Sequence, residues 1–201
     1  NQIIKNTIIL FVITLVAGIC LGTVHDITLD PIAQAQEAAA TKTYQEVYPD
    51  AASFDEPQEL ADAVTAAADS ISEWGFGKVT INDAKEALDA SGNQIGYLIT
   101  STSAESYGGN VQIAVGITNE GELTGIGFLS ISDTPGLGMR AKEPDFKDQF
   151  IGKKAENLEV TKTGASADNQ IEAISGATIT SKAVTNATDA AIYFVANCLA
   201  Q

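Results

Sequence analysis

The sequence predicts an α+β protein, in which one N-terminal transmembrane helix is followed by a single domain with an antiparallel or mixed sheet and packed helices. Three features predict this class. An uncharged apolar run lies near the N-terminus, several central segments alternate apolar and polar residues, and the chain ends in an Ala-rich segment with an apolar stripe of helical spacing. With 201 residues, 45% of them hydrophobic, the chain can bury one sizeable core, so we expect one domain besides the N-terminal helix.

The apolar run near the N-terminus is predicted to anchor the chain in a membrane. Residues 6–24 carry no charge and as a helix span roughly 29 Å, close to the thickness of a bilayer core. Lys5 precedes the run and Asp26 follows it, so the positive-inside rule places the N-terminus in the cytoplasm and the domain outside. A cleaved signal peptide is the alternative, but its best cleavage site, Ala33-Gln34-Ala35, lies well beyond the run. We expect a single-pass anchor in the cell membrane and, because residue 1 is Asn rather than Met, a few residues before it.

The chain divides into three predicted parts. Residues 1–25 form the anchor, residues 26–57 a juxtamembrane helix and linker, and residues 58–201 the extracytoplasmic domain. Pro31 is well placed to start a short helix that reaches about residue 43. Residues 44–54 are expected to be extended or looped.

Within the domain, hydrophobic periodicity predicts three helices and four strands. The helices are expected over residues 58–74, 145–151 and 181–201, and the strands over residues 96–101, 111–117, 123–131 and 158–162. A short turn that contains Gly121 joins the second strand to the third, which indicates an antiparallel meander. The expected apolar stripe of the last helix consists of Ala183, Val184, Ala187, Ala191, Phe194, Val195 and Cys198.

Charge and composition exclude several functions. The chain contains 26 acidic and 11 basic residues, a net charge of −15, without a basic cluster that could bind nucleic acid or anionic lipid headgroups. The one histidine, His25, is expected at the lipid–water boundary, away from any second metal-type ligand. We therefore expect no nucleic-acid partner, no metal site and no Ser–His–acid triad.

A strand end, a turn and a helix start are predicted in succession over residues 171–181. Residues 171–174 alternate like the end of a strand, Gly176 permits a tight turn, and helix formers follow. Four hydroxyl side chains lie here, on Ser175, Thr178, Thr180 and Ser181. Because free N–H groups and the positive dipole end of a helix suit an anion, a phosphate-bearing ligand fits this segment. The alternative is that these hydroxyls only cap the helix.

A second segment, Asp133-Thr134-Pro135-Gly136-Leu137-Gly138, is predicted to form a turn by its Pro-Gly pair. Its small residues would let the backbone approach a flat ring closely. On composition alone, the segment is a surface turn.

Together these segments resemble the FMN-binding domains of Rnf-type electron transport complexes and of the Na+-translocating NADH:quinone reductase. Ser175-Gly176-Ala177-Thr178 is similar to the flavinylation motif of that family, with Glu172 at a position that is usually Asp. The segment of residues 133–138 is similar to the family's Glu-Thr-Pro-Gly-Leu-Gly loop, and Ser106-Tyr107-Gly108-Gly109 resembles a Gly-Tyr-Gly-Gly stretch. The motifs occur in the family's order, and the resemblance covers roughly the whole chain.

The resemblance implies a covalent FMN cofactor, whose phosphate is esterified to the hydroxyl of Thr178. It implies that the turn around Thr178 binds the cofactor, with contributions from Glu172, Ser175, Gly176, Ala177 and Thr180. It also implies that the isoalloxazine ring lies against a loop of Thr134, Pro135, Gly136, Leu137 and Gly138. Arg140 pairs either with the flavin or with Glu143 or Asp145 at the surface. No catalytic residue beyond the flavin is implied.

The resemblance further implies an electron-carrying flavoprotein, the RnfG component of an Rnf-type ferredoxin:NAD+ oxidoreductase complex coupled to Na+ or H+ translocation. Its expected partners are the other components of that complex, the membrane, and a flavin transferase that attaches FMN. The nearest alternative is the flavin subunit of the Na+-translocating NADH:quinone reductase. Alternatives of other classes are a non-redox membrane-anchored binding protein and an autonomous flavin reductase.

Overall fold

The computed structural model describes residues 1–154 and 157–199, in two compact units. The first unit is Asn1–Thr41 and the second is Lys42–Gln201. The first unit is almost entirely helical, whereas the second contains the sheets and the remaining helices. The predicted α+β class is confirmed.

A single helix, α1, runs over Gln2–Val47 and contains Pro31. It is the one helix in the described part of the chain that is long and apolar enough to cross a membrane. Two expectations were wrong here: no separate juxtamembrane helix begins at Pro31, and residues 44–47 are helical rather than extended. The helix continues because the residues after Pro31 are mostly Ala, Gln and Glu, which favour helix, although Pro removes one backbone hydrogen bond.

The main sheet of the second unit is an antiparallel meander in the order β1-β2-β3-β4-β5. Its strands are β1 Ser53–Asp55, β2 Val79–Leu88, β3 Gln94–Ser106, β4 Gly109–Thr118 and β5 Leu123–Ile131. The three strands predicted within residues 96–131 are confirmed as β3, β4 and β5, with β3 extending further at both ends. A second, parallel sheet pairs β6 Glu159–Thr161 with β7 Gln170–Glu172.

Strand β2 was not predicted, although it lies between β1 and β3. A register shift between Ile81 and Asp83 interrupts its alternation, so that Val79 and Ile81 are followed in the main core by Ala84, whereas Ala87 is buried in a separate cluster with Tyr48 and Ala51. The bulge breaks the period of two that would reveal a strand in the sequence.

The helices of this unit are shorter than predicted, except for the last one. Helix α2 covers Gln58–Ala67 and is followed by a 3₁₀ turn at Ile71–Trp74, and α3 covers Pro144–Lys147 with a 3₁₀ turn on each side. Helix α4 covers Thr178–Phe194 and continues as a π-helical segment, Val195–Leu199. It begins three residues earlier than predicted, and residues 200–201 lie outside the described residues.

Helix α4 packs on β3 and β4, and this packing holds the start of the helix against the sheet. The predicted stripe residues Ala183, Val184, Ala187, Ala191 and Phe194 are all almost completely buried. Because most of these side chains are small, the helix lies close enough for Ser101 Oγ on β3 to donate to Ala187 O at 2.8 Å. Thr180 and Ser181 in the first turn of α4 are also completely buried, so the core fixes this turn.

Candidate cofactor site

The segment between β7 and α4 forms a tight turn that ends at the first residue of the helix. The N–H of Ala177 donates to Ile174 O at 2.9 Å, and Gly176, the third residue of the turn, has φ +80°. That backbone conformation favours glycine. Ser181 holds the turn to the helix, because its Oγ accepts from Ile174 N and donates to Ala177 O, both at 3.0 Å.

Thr178 is the first residue of α4, and it is partly buried. Its hydroxyl makes no hydrogen bond to any residue that the structure describes. The preceding residue, Ala177, provides no side-chain cap, and the first turn holds no acidic residue. The N–H groups at the start of the helix are therefore available to an anion next to the Thr178 hydroxyl.

The other hydroxyls of the segment differ from that of Thr178. Thr180 is completely buried and donates to Asp133 Oδ2 at 2.6 Å, and Ser181 is committed to the turn. Ser175 is exposed and, within the described residues, forms no hydrogen bond. Among these four hydroxyls, those of Thr178 and Ser175 are thus free of partners in the described structure, and of the two only Thr178 lies in the helix.

The loop of residues 133–138 forms a second turn. Leu137 N donates to Thr134 O at 3.1 Å, Pro135 is the second residue and Gly136, with φ +76°, is the third. Proline and glycine at these two positions are what a type II turn requires. Thr134, Pro135, Gly136 and Leu137 are exposed, whereas Gly138 is buried.

The loop and the turn lie against each other, although some forty residues separate them in the sequence. Besides the hydrogen bond from Thr180 to Asp133, a Cβ added to Gly176 would lie 3.1 Å from Leu137 Cδ2. A Cβ on Gly138 would overlap the carboxylate of Asp133. The structure therefore brings the two predicted motifs together into one site.

Asp133 connects three segments of this site. It is 8% exposed, and its Oδ2 accepts from Ser106 Oγ at 2.8 Å and from Thr180 Oγ1, while Oδ1 accepts from Thr134 N at 2.7 Å. Burial acts to raise the pKa of Asp133, but hydrogen bonds from Thr180, Ser106 and the backbone N–H groups of Thr134 and Gly108 hold it below its ordinary value. The ionised carboxylate therefore joins the β3–β4 turn, the loop and α4.

Sequence reasoning missed this link between the three segments. In the sequence, Ser106 stands out only as a departure from the Gly common in the family, and Thr180 only as one of several hydroxyls. A buried carboxylate needs hydrogen-bond donors. The acidic residue in the loop, together with the hydroxyls near Tyr107 and in the segment around Thr178, could therefore have suggested this link.

Two further predicted residues lie at the edge of the site. Glu172 is exposed at the end of β7, and Gln149 binds its backbone, accepting from Glu172 N at 2.7 Å and donating to Glu172 O at 3.3 Å. Arg140 Nε lies 3.2 Å from Glu143 Oε2, which matches the surface ion pair among the alternatives for this residue. Neither side chain forms a hydrogen bond with residues 174–181 within the described structure.

The residues present fit a flavin mononucleotide. The free hydroxyl of Thr178 and the N–H groups beside it suit a phosphate. Leu137 and Ile179, which are 44% and 55% exposed, provide apolar surface near this position, and the exposed ring of Tyr107 lies in the β3–β4 turn that Asp133 binds. An apolar ring system with a phosphate tail is the kind of ligand that this combination suits.

Two family descriptions match the chain. The FMN-binding domain matches residues 106–193, which include the β3–β4 turn, the loop and the segment around Thr178. The RnfG N-terminal region matches residues 1–47, the span of helix α1. These matches, together with the apolar helix, define a membrane-anchored protein with an FMN-binding domain.

Relatives of similar length agree. The G subunit of the Na+-translocating ferredoxin:NAD+ oxidoreductase complex of Acetobacterium woodii is 35% identical, over 97% of this chain and 92% of the relative. The G subunit of the proton-translocating complex of Clostridium ljungdahlii is 30% identical, over 96% of this chain and 91% of the relative. The chain belongs to the RnfG family, the G subunits of ion-translocating ferredoxin:NAD+ oxidoreductase complexes.

Among solved structures, the C subunit of the Na+-translocating NADH-quinone reductase of Parabacteroides distasonis is similar to this chain at 19% identity. The TM-score is 0.44, and the likeness covers 72% of this chain and 95% of that one.

Proposed function

We propose that this protein carries electrons within an ion-translocating ferredoxin:NAD+ oxidoreductase complex, through an FMN whose phosphate is esterified to Thr178. Membership of the RnfG family supports the complex, and the match to the FMN-binding domain supports the cofactor. The single observation that supports the attachment point is the Thr178 hydroxyl, which is free, partly exposed and placed at an uncapped helix start.

Each part of the site has a separate task in this proposal. The N–H groups at the start of α4 bind the phosphate, and Thr178 Oγ1 forms the ester. Asp133 holds the loop against the helix, so that Leu137 and the backbone of residues 134–138 can shield the ring from water. Bound FMN supplies reversible electron transfer, and the polarity of these surroundings sets its potential.

Helix α1 spans the membrane once, with the domain on the extracytoplasmic side, because Lys5 precedes the uncharged run and Asp26 follows it. A flavin transferase attaches the FMN from FAD, with the Thr178 hydroxyl replacing AMP on the FMN phosphate and losing its proton, and the other subunits exchange electrons with the flavin. Since residues 6–24 offer no carboxylate to an ion, ion transport belongs to other subunits. The complexes of the two relatives translocate different ions, and the proposal covers either.

The attachment is tested with the full chain, coexpressed with a flavin transferase and purified from membranes. The wild-type protein should gain the mass of an FMN ester and fluoresce as a flavin in a denaturing gel. Thr178→Ala should lose both signals, whereas Ser130→Ala, which removes an exposed hydroxyl outside the turn and the loop, should keep them. A fluorescent Thr178→Ala band would place the attachment elsewhere.

The side of the membrane is tested separately, by adding protease to intact cells. We expect the domain to be cleaved from the outside. Protection in intact cells, with cleavage in inverted vesicles, would place the domain in the cytoplasm.

A further inference from the structure

A second buried carboxylate, that of Asp189, lies in α4 away from the candidate cofactor site. Asp189 follows Thr178 by eleven residues, about 16 Å along the helix axis. It is 4% exposed and lines a cavity of about 390 Å³. None of the described residues around this cavity belongs to the turn or the loop of the cofactor site.

The cavity has an aromatic wall and polar side chains. Trp74 and Tyr193 pack with ring centroids 4.7 Å apart, and Phe76 meets Tyr193 edge-on at 6.0 Å. Two carboxamides, those of Asn157 and Asn197, also line it. The π faces of aromatic rings attract cations, and amide oxygens accept hydrogen bonds from them.

Asp189 has fewer partners than a buried carboxylate needs. Its Oδ1 accepts from Leu158 N at 2.9 Å, and this is its one hydrogen bond within the described residues. Within the described residues, Gln94 Nε2 is the one fully buried side-chain polar atom without a hydrogen-bond partner. Asp189 Oδ2 also has no partner there, so it is not fully buried and must be open to the cavity that Asp189 lines. Burial raises the pKa of Asp189 to about 7, although the Leu158 N–H opposes this.

No cation within the described residues compensates Asp189. The four ion pairs of the described chain are formed by Lys42, Lys85 and Arg140, and none includes this carboxylate. Over the same residues, no group of His, Cys, Asp and Glu side chains could hold a metal ion. An anionic ligand would be repelled by Asp189 and by the net charge of −15.

We infer that this cavity binds an organic cation, an alkylammonium or guanidinium group, which pairs with Asp189 and lies against the aromatic wall of Trp74, Phe76 and Tyr193. The cation supplies the charge and the hydrogen bonds that Asp189 Oδ2 lacks, and the rings cover its alkyl part. Two sources share this chemistry: a free amine, or a Lys or Arg side chain of another protein in the complex.

The chain provides its own reporter for this site, because Trp74 is the only tryptophan. The full chain in detergent is titrated with butylammonium chloride at about pH 8, above the pKa of about 7, while Trp74 fluorescence is recorded. We expect a saturable change. Butanol, a neutral molecule of similar size, and sodium chloride at equal ionic strength should give no saturable change.

Asp189→Asn keeps an oxygen for the Leu158 N–H but removes the charge, so it should weaken the apparent affinity at least about tenfold. The matched control, Asp168→Asn, changes an exposed acid elsewhere and should bind like the wild type. Tyr193→Leu retains the Trp74 signal and should weaken binding about threefold, the loss of one cation–π contact. It keeps the test valid if Asp189→Asn does not fold.

The absence of a Trp74 response, an equal response to butanol, or equal affinity in wild type and Asp189→Asn would each overturn the inference. If Asp189→Asn does not fold and only Tyr193→Leu can be measured, binding by Tyr193→Leu as tight as by the wild type would also overturn the inference. Copurification of the variants with the complex separates the two sources. A reduced yield of this protein in the Asp189→Asn complex indicates a side chain from another protein of the complex, and an unchanged yield indicates a free amine.

Discussion

Asp133 and Asp189 are both shielded from solvent, 8% and 4% exposed, but Asp189 lies deeper in the protein and the surroundings of the two carboxylates give them opposite properties. Asp133 accepts hydrogen bonds from two hydroxyls and two backbone N–H groups, whereas Asp189 accepts one from a backbone N–H. The pKa of Asp133 is therefore held below its ordinary value, and that of Asp189 is raised to about 7. The number of donors and the depth of burial together decide which carboxylate is stable as an anion.

The comparison separates two kinds of site in one domain. At Asp133 the protein supplies all the donors, so the carboxylate is a structural link that fixes the loop and α4 relative to each other. At Asp189 the protein leaves one oxygen open to a cavity. A complete hydrogen-bonding shell indicates a positioning role, and an incomplete shell beside a cavity indicates room for a ligand.

The largest expected effect is on stability, when each carboxylate is removed in turn. Asp133→Ala leaves four donors without an acceptor and should lower the free energy of unfolding by about 3–5 kcal/mol. Asp189→Ala leaves one donor and removes an unfavourable charge, so we expect a loss of about 1 kcal/mol or less. Urea denaturation of the full chain, followed by Trp74 fluorescence, measures both. Equal losses would mean that the donors at Asp133 do not distinguish the two sites.

The next effect is a difference in pH dependence. The folded state of the wild type favours protonated Asp189, so its stability should fall as the pH rises from about 4 to about 7 and then remain level. Asp189→Asn does not titrate and should be more stable than the wild type by about 2 kcal/mol at pH 8, because an amide is less costly to bury than a charge.

The measurement for this second effect is a series of urea midpoints between pH 5 and pH 8 for the wild type, Asp189→Asn and the surface control Asp168→Asn. The control should follow the wild type. Asp133 contributes in the opposite sense, because its stabilisation is present above the ordinary carboxyl pKa and is lost only as the pH falls below it. A difference between wild type and Asp189→Asn that does not change across this range would contradict a pKa near 7.

Local sequence patterns were sufficient to predict the class, the strands β3, β4 and β5, and the position of α4. Each of these elements has several large apolar residues in alternation or a long apolar stripe. Strand β2 could not be predicted because its bulge shifts the alternation between Ile81 and Asp83, and the buried residues that follow, Ala84 and Ala87, are small. The continuous helix α1 was missed because a proline such as Pro31 is commoner at the start of a helix than inside one.

For the candidate site, the sequence identified the two motifs, and the structure added their contact. The hydrogen bond from Thr180 to Asp133 joins residues that lie 47 positions apart, and no local pattern reports such a pairing. The cavity at Asp189 was missed for the same reason, since Trp74 and Phe76 come from a segment far from α4 in the sequence. Burial and donor counts depend on the tertiary structure, which periodicity does not describe.

The smallest expected effect comes from removing a single hydrogen-bond donor from Asp133. Ser106→Ala removes one of its four donors, the Ser106 hydroxyl, and keeps the Cβ of the strand. We expect the free energy of unfolding to fall by about 1 kcal/mol and the pKa of Asp133 to rise towards its ordinary value, because three donors remain.

Ser130→Ala is the matched control, since Ser130 is exposed on β5 and forms no side-chain hydrogen bond within the described residues. It should change stability by less than about 0.5 kcal/mol. Urea midpoints at pH 7 and at a pH below the ordinary carboxyl pKa measure both variants, and Ser106→Ala should lose less stability at the lower pH, where the Asp133 carboxyl becomes protonated. A Ser106→Ala variant as stable as Ser130→Ala would show that the three remaining donors are sufficient for the Asp133 carboxylate.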